Sequence, residues 1–275
     1  METIGVVYNP LSAASVDLSV SLAERITARG LRVWRGVPSD ANDTVIADLD
    51  LIIALGGDGT VLRAARMSVA HQVPVLPVAL GHLNFMAELL PDQIDDGLTT
   101  LLAGGGWRDE RTLLTAYVRR TDGTTTEPAL ALNEVLLARG DINRVVAVDV
   151  EVYQSRVTTY HADGVLVATA TGSTAYALAA GGPIVDPRSK ALVLVPVAAH
   201  LTPLPSLVLH EDAVVHLTLR SRHVAAFSAD GRNTVQLEDG DEIIISRAAE
   251  TCIFARVFPL DIFYARLAQR LRRDP

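Results

Sequence analysis

The sequence predicts a two-domain protein: an α/β amino-terminal domain with a parallel sheet, a second all-β sandwich-like domain, and a carboxy-terminal segment that returns to the first domain. Three observations support this prediction. Apolar strand-like runs alternate with helical patterns in residues 1–111. Patterns of period two dominate residues 112–250, and residues 251–275 include an amphipathic helical pattern. These three ranges are the predicted domain boundaries.

The first domain alternates four predicted strands with two predicted helices. The strands are nearly continuous apolar runs, which is typical of parallel sheets covered on both faces. The first helix begins in a Ser/Asp-rich stretch and stops at Gly30. The predicted segments in chain order are strand 3–9, helix 15–30, strand 31–36, strand 49–55, helix 60–71 and strand 74–80.

The second domain shows hairpin and strand patterns. A Thr-Asp-Gly-Thr turn at 121–124 separates two apolar runs, which predicts a hairpin. Valines alternate with other residues in 145–154, and apolar residues alternate with polar ones in 213–222. A turn and a further strand follow in 234–246. We expect two packed antiparallel sheets, followed by an amphipathic helix over 259–273.

Composition excludes several classes of function. The chain of 275 residues has a formal net charge of −8, which argues against a nucleic-acid partner. Its single cysteine, Cys252, allows neither an intrachain disulfide nor a cysteine zinc site and fits a reducing, cytoplasmic location. The uncharged stretches 164–185 and 191–209 are interrupted by glycines, prolines and polar residues, so no membrane span is expected.

Gly56-Gly57-Asp58-Gly59-Thr60 follows the third predicted strand and precedes a helix. Glycines at such a turn allow backbone N–H groups to approach a phosphate. The loop matches neither the Walker pattern nor the dinucleotide fingerprint, because Leu62 stands where that fingerprint has its third glycine. An isolated Gly-Gly pair would also fit a simple tight turn.

Asp58 places a carboxylate inside this phosphate-type loop. As a helix N-cap it would contribute about 1 kcal/mol and need no further role. Beside phosphates its charge is repulsive unless it holds a divalent cation or accepts a proton from a hydroxyl that attacks phosphorus. Both of these roles indicate phosphoryl transfer.

Two further motifs lie in the second domain. In residues 161–187, Asp163-Gly164 precedes an apolar strand, and 171–174 opens a predicted helix of small residues over 175–180 that glycines terminate. Hydroxyls and N–H groups at a helix start bind anions and polar edges, although small-residue helices more often simply pack in a core. Asn133-Glu134 interrupts an apolar strand, either as an exposed bulge or to bind hydroxyls or an adenine edge.

Together the three motifs resemble the NAD kinase family. The loop at 56–60 is similar to that family's GGDG motif, Asn133-Glu134 matches its N-E pair, and residues 163–187 are similar to its long Gly- and Thr-rich signature. The resemblance extends over most of residues 50–250. The first loop alone is less specific, because diacylglycerol kinases, sphingosine kinases and phosphofructokinases are similar there.

The resemblance implies transfer of the γ-phosphate of ATP to the 2′-hydroxyl of the adenosine ribose of NAD, giving NADP. It implies that Asp58 accepts the proton or orients that hydroxyl, that Asp163 binds ribose hydroxyls, and that Mg²⁺ is held largely by ATP phosphates rather than by protein ligands. The residues that it implies for substrate binding are Gly56, Gly57, Asp58, Gly59, Thr60, Arg63, Phe85, Asn133, Glu134, Arg144, His161, Asp163, Thr174, Ala175, Tyr176, Ala177, Leu178, Ala179 and Arg232. It also implies a homodimer or homotetramer.

Some positions depart from the family pattern. The family usually has glycine at Asn84, serine and proline at Ala168 and Ala170, and glutamine at Arg232. His82 precedes Asn84 and would face the cleft. His161 has an alternative interpretation, since a lone histidine beside a turn is more often solvated or part of a core than a ligand contact.

Two rival functions share part of the pattern. A lipid kinase of the diacylglycerol or sphingosine type would share the first loop but would not need Asn133-Glu134 or the signature at 163–187. A non-catalytic nucleotide sensor would keep the pocket and lose the chemistry, and the presence of Asp58 argues against it.

Overall fold

The computed structural model describes residues 1–81, 85–141, 144–200 and 204–271. The helices in these residues are α1 Ala13–Ala28, α2 Asp43–Ala47, α3 Asp58–Ser68, α4 Ile94–Leu102, α5 Tyr176–Ala179 and α6 Ile262–Leu271. The strands are β1 Thr3–Tyr8, β2 Arg32–Gly36, β3 Leu51–Leu55, β4 Val75–Val78, β5 Trp107–Arg119, β6 Ala129–Ala131, β7 Glu134–Arg139, β8 Val146–Val152, β9 Ser155–Ala162, β10 Gly164–Ala168, β11 Leu192–Val197, β12 Leu207–Leu209, β13 Val215–Leu219, β14 Ala225–Ala229, β15 Arg232–Leu237 and β16 Glu242–Arg256.

The chain forms two compact units. The first comprises Met1–Glu110 and Cys252–Pro275, and the second comprises Arg111–Thr251. Strands β5 and β16 each contribute residues to both units. The first unit is therefore built from two separate parts of the chain, whereas the second is continuous.

The first unit contains the predicted parallel sheet. Its strands lie in the order β2-β1-β3-β4, and Phe254 of β16 pairs in parallel with Val75 of β4. Every residue of β3 is buried, as its continuous apolar run predicts. The hydroxyl of Ser12 caps α1, and Gly30, the predicted stop, has φ of +80°.

Two helices of the first unit were absent from the sequence prediction. Helix α2 has only five residues and begins at an N-cap, Asn42, whose side chain accepts a hydrogen bond from the N–H of Val45. Helix α4 contains Gly97, which weakens its helical pattern. The glycine serves packing, because a Cβ atom there would lie 2.6 Å from Cδ1 of Leu89.

The second unit is a sandwich of two sheets. One contains β9, β8, β13 and β16 as antiparallel neighbours, with β5 and β6 joined to it. The other is antiparallel with strand order β12-β11-β10-β7-β14-β15. Side chains from both sheets form the core, and examples are Val148, Leu217, Ile243, Val165, Leu137 and Phe227. The predicted fold class is thus confirmed.

Apolar patterning also explains the outer layer of the second unit. Ala177 of α5 packs with Leu166, Ala168, Val193 and Val195 on the outer face of β10 and β11.

The single cysteine, Cys252, is buried. Within the described ranges, none of the helices is both long and apolar enough to cross a membrane.

Candidate active site

The predicted site residues fall into two groups, one in each unit. In the first unit, the Gly-Gly-Asp-Gly-Thr loop joins β3 to α3. The last carbonyl of β3, on Leu55, accepts a hydrogen bond from the hydroxyl of Ser15 at 2.9 Å. The N–H of Gly56 donates to the carbonyl of Val78 in β4 at 3.0 Å. The start of the loop is therefore fixed from α1 and from β4.

Glycines give this loop two different properties. Gly56 has φ of +152°, and a Cβ atom there would lie 2.6 Å from Oγ1 of Thr60, so the turn requires glycine. Gly57 and Gly59 instead face open space. A Cβ atom on Gly57 would meet no described heavy atom within 4 Å beyond its chain neighbours, and one on Gly59 would lie 4.0 Å from Nη1 of Arg63. A ligand can approach the backbone closely there.

Asp58 is the first residue of α3, and Gly57 is the N-cap. The interpretation of Asp58 as the N-cap is therefore wrong, because the capping position is one residue earlier and carries no side chain. Gly57, Asp58 and Gly59 are exposed. First-turn N–H groups lack partners within their helix, and the helix dipole favours negative charge at this end. The loop thus presents N–H donors and one carboxylate to solvent.

The neighbouring predicted residues are partly enclosed. Thr60 is buried, and its hydroxyl accepts a hydrogen bond from Nη2 of Arg63 at 3.2 Å. Phe85 is half-buried and directly precedes a buried segment. His82 and Asn84 lie outside the described residues.

In the second unit, Asn133 lies between β6 and β7, and Glu134 is the first residue of β7. The carboxylate of Asp230 accepts hydrogen bonds from the N–H groups of Leu132 at 2.9 Å, Asn133 at 2.8 Å and Glu134 at 3.2 Å. Asp230 has φ of +48°, in the left-handed region that Asp tolerates better than most residues. Three N–H donors on one carboxylate hold the Asn-Glu pair in a fixed conformation.

The Thr- and Gly-rich motif packs directly on this pair. The N–H of Thr169 donates to the carbonyl of Asn133 at 2.9 Å, and its hydroxyl donates to the carbonyl of Leu132 at 2.6 Å. A Cβ atom on Gly172 would lie 2.0 Å from the carbonyl oxygen of Asn133. The structure therefore brings the second and third motifs together, and Gly172 permits the contact.

The predicted helix over 175–180 is shorter than expected and is broken at its start. A 3-10 turn covers Gly172–Thr174, Ala175 has non-helical φ and ψ of −97° and −127°, and α5 has four residues. The cause is competition from side chains. The hydroxyl of Thr169 accepts a hydrogen bond from the N–H of Gly172 at 3.0 Å, and that of Ser173 donates to the carbonyl of Ala170 at 2.7 Å.

Glu134 carries the most perturbed carboxyl group of this region. Burial, and then the adjacent Asp230 carboxylate, raise the pKa of Glu134 to about 7, although a hydrogen bond from the N–H of Tyr176 lowers it. Its Oε2 atom is buried and has no hydrogen-bond partner among the described residues. A buried oxygen without a partner is unfavourable in the free protein and suits a ligand hydroxyl.

Asp163 makes a two-point contact with Arg139. Nε of Arg139 lies 2.8 Å from Oδ1 of Asp163, and Nη2 donates to Oδ2 at 3.1 Å. Both side chains are half-buried, so solvent still reaches the carboxylate. Nη1 of Arg139 also donates to the carbonyl of Asp141 at 2.9 Å. Asp163 is therefore held in one orientation while part of it stays accessible.

The two polar positions lie at opposite ends of one strand pair. In the antiparallel pair of β7 and β10, Ala168 is opposite Glu134, whereas Gly164 is opposite Ala138. Asn133 and Asp163 are thus separated by about six strand residues, or roughly 20 Å. They cannot bind the same hydroxyl group, but they can bind the two ends of an elongated ligand.

The remaining predicted residues differ in exposure. Ala177 is fully buried, so only its backbone is available to a ligand. Ala168 and Ala170, which depart from the family pattern, are also buried. The exposed residues are Arg144, His161, Tyr176, Ala179 and Arg232, and the half-buried ones are Thr174, Ala175 and Leu178.

Sequence analysis missed three residues of this site: Arg139, Thr169 and Asp230. Asp230 had a local signal, since an Asp-Gly pair inside the strand-like stretch 228–235 marks a turn. Arg139 had none, because its role depends on strand register, and Thr169 lay inside the motif at 163–187 without being distinguished from its neighbours. In the part of the chain that the structure describes, no group of three or more His, Cys, Asp or Glu side chains is arranged to hold a metal ion.

Comparison with known families gives two matches along the chain. The family model described as ATP-NAD kinase N-terminal domain matches residues 36–106. The model described as ATP-NAD kinase C-terminal domain matches residues 132–257. The two matched segments contain the GGDG loop and the Asn-Glu and Thr/Gly-rich motifs, respectively.

Similar curated proteins and solved structures agree with these matches. The chain is 57% identical to an NAD kinase of Chloroflexus aggregans over 276 residues, with all of both chains covered. It is 38% identical to an NAD kinase of Dehalococcoides mccartyi, with 98% of this chain and 95% of the relative covered. Yeast NADH kinase complexed with NADH has a similar fold, with TM-score 0.84, 23% identity, and coverage of 100% of this chain and 89% of that one. An NAD kinase from Archaeoglobus fulgidus in complex with ATP gives TM-score 0.80 at 22% identity, with 99% of both chains covered.

Proposed function

The chain belongs to the NAD kinase family, and from this premise we propose how its residues divide the work of the reaction. The enzyme transfers the γ-phosphate of ATP to the 2′-hydroxyl of the adenosine ribose of NAD, producing NADP. The rival functions, a lipid kinase and a non-catalytic sensor, find no support among the relatives.

Asp58 is the proposed proton acceptor. The ribose oxygen attacks the γ-phosphorus, the bond from that phosphorus to the ADP oxygen breaks, and the hydroxyl proton passes to the carboxylate of Asp58. Its exposure in the first turn of α3, between two glycines with open space, supports this role. The same N–H groups suit the phosphates of ATP, since helix N-termini bind anions.

The GGDG loop is compatible with an Mg²⁺ ion that binds together with ATP. The loop offers a single carboxylate, which suits a cation that keeps most of its ligands from phosphates and water. Mg²⁺ would neutralise charge on the transferred group. Of the loop's groups, only the carboxylate of Asp58 could supply an oxygen ligand to it, while the first-turn N–H groups of α3 would bind the phosphates.

Glu134 and Asp163 are the proposed contacts to the two ends of NAD. The observation that carries this assignment is the buried, unpartnered Oε2 of Glu134, which a ribose hydroxyl of the adenosine half would satisfy. Asp163, at the other end of the strand pair, would contact the nicotinamide half, together with His161 and Arg144. Phe85, Tyr176 and the backbone of 174–179 would contact the rings.

The remaining assignments follow from the sequence and the family. Residues 1–111 form the proposed domain for ATP phosphates, 112–250 the NAD-binding domain, and 251–275 a segment that packs on the first. A single buried cysteine suits the reducing cytoplasm. We expect a homodimer or homotetramer and no nucleic-acid or membrane partner, and light scattering during gel filtration tests the assembly.

A turnover assay tests the reaction. The protein is incubated with NAD, ATP and Mg²⁺, and NADP is measured with an NADP-specific dehydrogenase. We expect NADP only when ATP is present. Diacylglycerol and sphingosine serve as competing acceptors in parallel. Binding of NAD without turnover by any phosphoryl donor would contradict the kinase assignment, and phosphorylation of a lipid instead of NAD would indicate the lipid-kinase alternative.

A further inference from the structure

A cluster of four charged side chains is buried in the first unit. It consists of Glu88, Asp109, Arg256 and Arg266. The Glu88 and Asp109 side chains are each 1% exposed, Arg256 is 6% exposed and Arg266 is 17% exposed. Buried charges need hydrogen-bond and ion-pair partners to compensate the loss of solvation. The partners of these four side chains therefore identify the segments that the cluster joins.

Glu88 is the centre of the cluster. Its Oε1 atom accepts hydrogen bonds from the N–H groups of Val257 at 2.9 Å and Phe258 at 2.8 Å. Its Oε2 atom lies 3.2 Å from Nη1 of Arg256 and 3.7 Å from Nη1 of Arg266. One carboxylate thus attaches the residues after β16 to the segment that follows Phe85.

The two arginines bind that same segment through its backbone. Nη1 of Arg256 donates to the carbonyl of Met86 at 2.9 Å. Arg266 donates to the next two carbonyls, from Nη1 to Ala87 at 2.6 Å and from Nη2 to Glu88 at 2.7 Å. Three consecutive carbonyls are therefore held by side chains from residues 256–266.

We propose that Arg266 of α6 is a positioning residue for the kinase reaction: it holds the carbonyls of Ala87 and Glu88 and, together with Arg256 on Met86, sets the place of Phe85, the proposed NAD contact. The proposal depends on the assignment of Phe85 as an NAD contact. Phe85 directly precedes the first of the three held carbonyls, so a shift of the segment moves its ring. A small misplacement of a substrate-positioning group reduces activity strongly.

The guanidinium of Arg266 is suited to this task. Its planar fork holds two donors in a fixed geometry that fits two adjacent carbonyls, whereas a lysine presents a single ammonium on a flexible chain. It lies over the ring of Phe258 at 5.4 Å, which limits its movement. Burial lowers the pKa of Arg266, the Glu88 carboxylate opposes that effect, and the nearby Arg256 charge adds to it. A guanidinium nevertheless stays protonated in proteins and keeps its donors.

Steady-state kinetics of Arg266→Ala and Arg266→Lys test the proposal, with Arg25→Ala as the matched control. Arg25 also forms an ion pair in the first unit, with Asp95 at 3.0 Å. We expect the alanine variant to raise KM for NAD about tenfold. The KM for ATP should stay near that of the control, and Arg266→Lys should give an intermediate KM for NAD. The thermal midpoint should fall further in Arg266→Ala than in the control, because Glu88 and two carbonyls lose a buried partner.

A double-mutant cycle with Phe85→Ala identifies the route of the effect. If Arg266 acts through Phe85, adding Arg266→Ala to Phe85→Ala raises KM for NAD little further. The proposal would be overturned if the KM for NAD of the double variant rose by the product of the two single-variant increases. It would also be overturned if Arg266→Ala left the KM for NAD unchanged, or if it raised the KM for NAD and the KM for ATP by the same factor. If Phe85→Ala alone has no effect, the assignment of Phe85 fails as well, whereas NADP formation by the wild type tests the kinase function separately. If Arg266→Ala does not fold, Arg266→Lys carries the same comparison.

Discussion

Arg139, the last residue of β7, binds the carboxylate of Asp163, which directly precedes β10, through two contacts. The pair lies at the end of the strands opposite Glu134. Because both carboxylate oxygens are oriented by one guanidinium, the lone pairs that remain free point in fixed directions. The arrangement suits a carboxylate that must receive hydroxyl groups of a ligand.

Arg139→Ala should weaken NAD binding. Asp163 would lose its orientation, and we expect a loss of about 1–2 kcal/mol in binding free energy, with a smaller loss for Arg139→Lys. Calorimetric titration with NAD measures it. Arg220→Ala is the control, because Arg220 forms a comparable contact with Asp149 at 2.8 Å in the same unit. Equal NAD affinity in both variants would remove Asp163 from the NAD site.

Asp58→Asn should abolish most turnover without unfolding the protein. Asn has nearly the same shape at the first position of α3 but cannot accept the ribose proton. We expect normal NAD binding and a decrease in kcat of about 10²–10⁴-fold. Asp96→Asn, in the first turn of α4, is the matched control for loss of a negative charge at a helix start. Near-normal turnover in Asp58→Asn would show that the proton acceptor lies elsewhere.

Glu134 should make the stability of the ligand-free protein depend on pH. Its pKa is raised from the ordinary 4.5 to about 7, so between these values the folded state binds more protons than the unfolded state. Stability therefore falls as pH rises through this window, by at most about 1.4 kcal/mol per pH unit for one group, and levels off above it. Urea unfolding at pH 5.5, 6.5 and 7.5 measures the slope. Glu134→Gln should reduce it, and parallel curves for the two proteins would contradict the raised pKa.

Gly172→Ala should disturb the Asn133 position. The added methyl group would lie 2.0 Å from the carbonyl oxygen of Asn133, and that carbonyl is held by the N–H of Thr169. We expect a loss of about 1–3 kcal/mol in the free energy of unfolding, together with weaker NAD binding. Chemical denaturation and calorimetry measure the two effects. An unchanged variant would show that the backbone relaxes freely here.

Much of the fold was predictable because it rests on local patterns. The buried run of β3 and the alternation in β8 and β13 appear directly in the sequence, and so does the glycine loop at the start of α3. Periodicity predicts these elements because each buries one face or both. The short α2 and the glycine-containing α4 lack a strong pattern of their own.

The interior of the site was less predictable because it depends on register. Arg139 meets Asp163 only because Gly164 pairs with Ala138, and Asp230 reaches Asn133 across 97 sequence positions. The break before α5 coincides with the hydroxyls of Thr169 and Ser173, which hydrogen-bond to backbone groups of the preceding turn. Sequence patterns report propensity, whereas these contacts are decided by tertiary structure.

The two-part construction of the first unit has a consequence for synthesis on the ribosome. The unit is completed only from Cys252 onward, and Arg266 reaches Glu88 across 178 positions. The continuous second unit emerges earlier and can mature first. Residues 88–89 already pair with the far end of β4, but Val75 at its start lacks its partner until Phe254 arrives, which leaves part of this edge available to other nascent chains. Because of the order of translation, the first unit, which carries Asp58, is therefore the last of the two units to complete its fold.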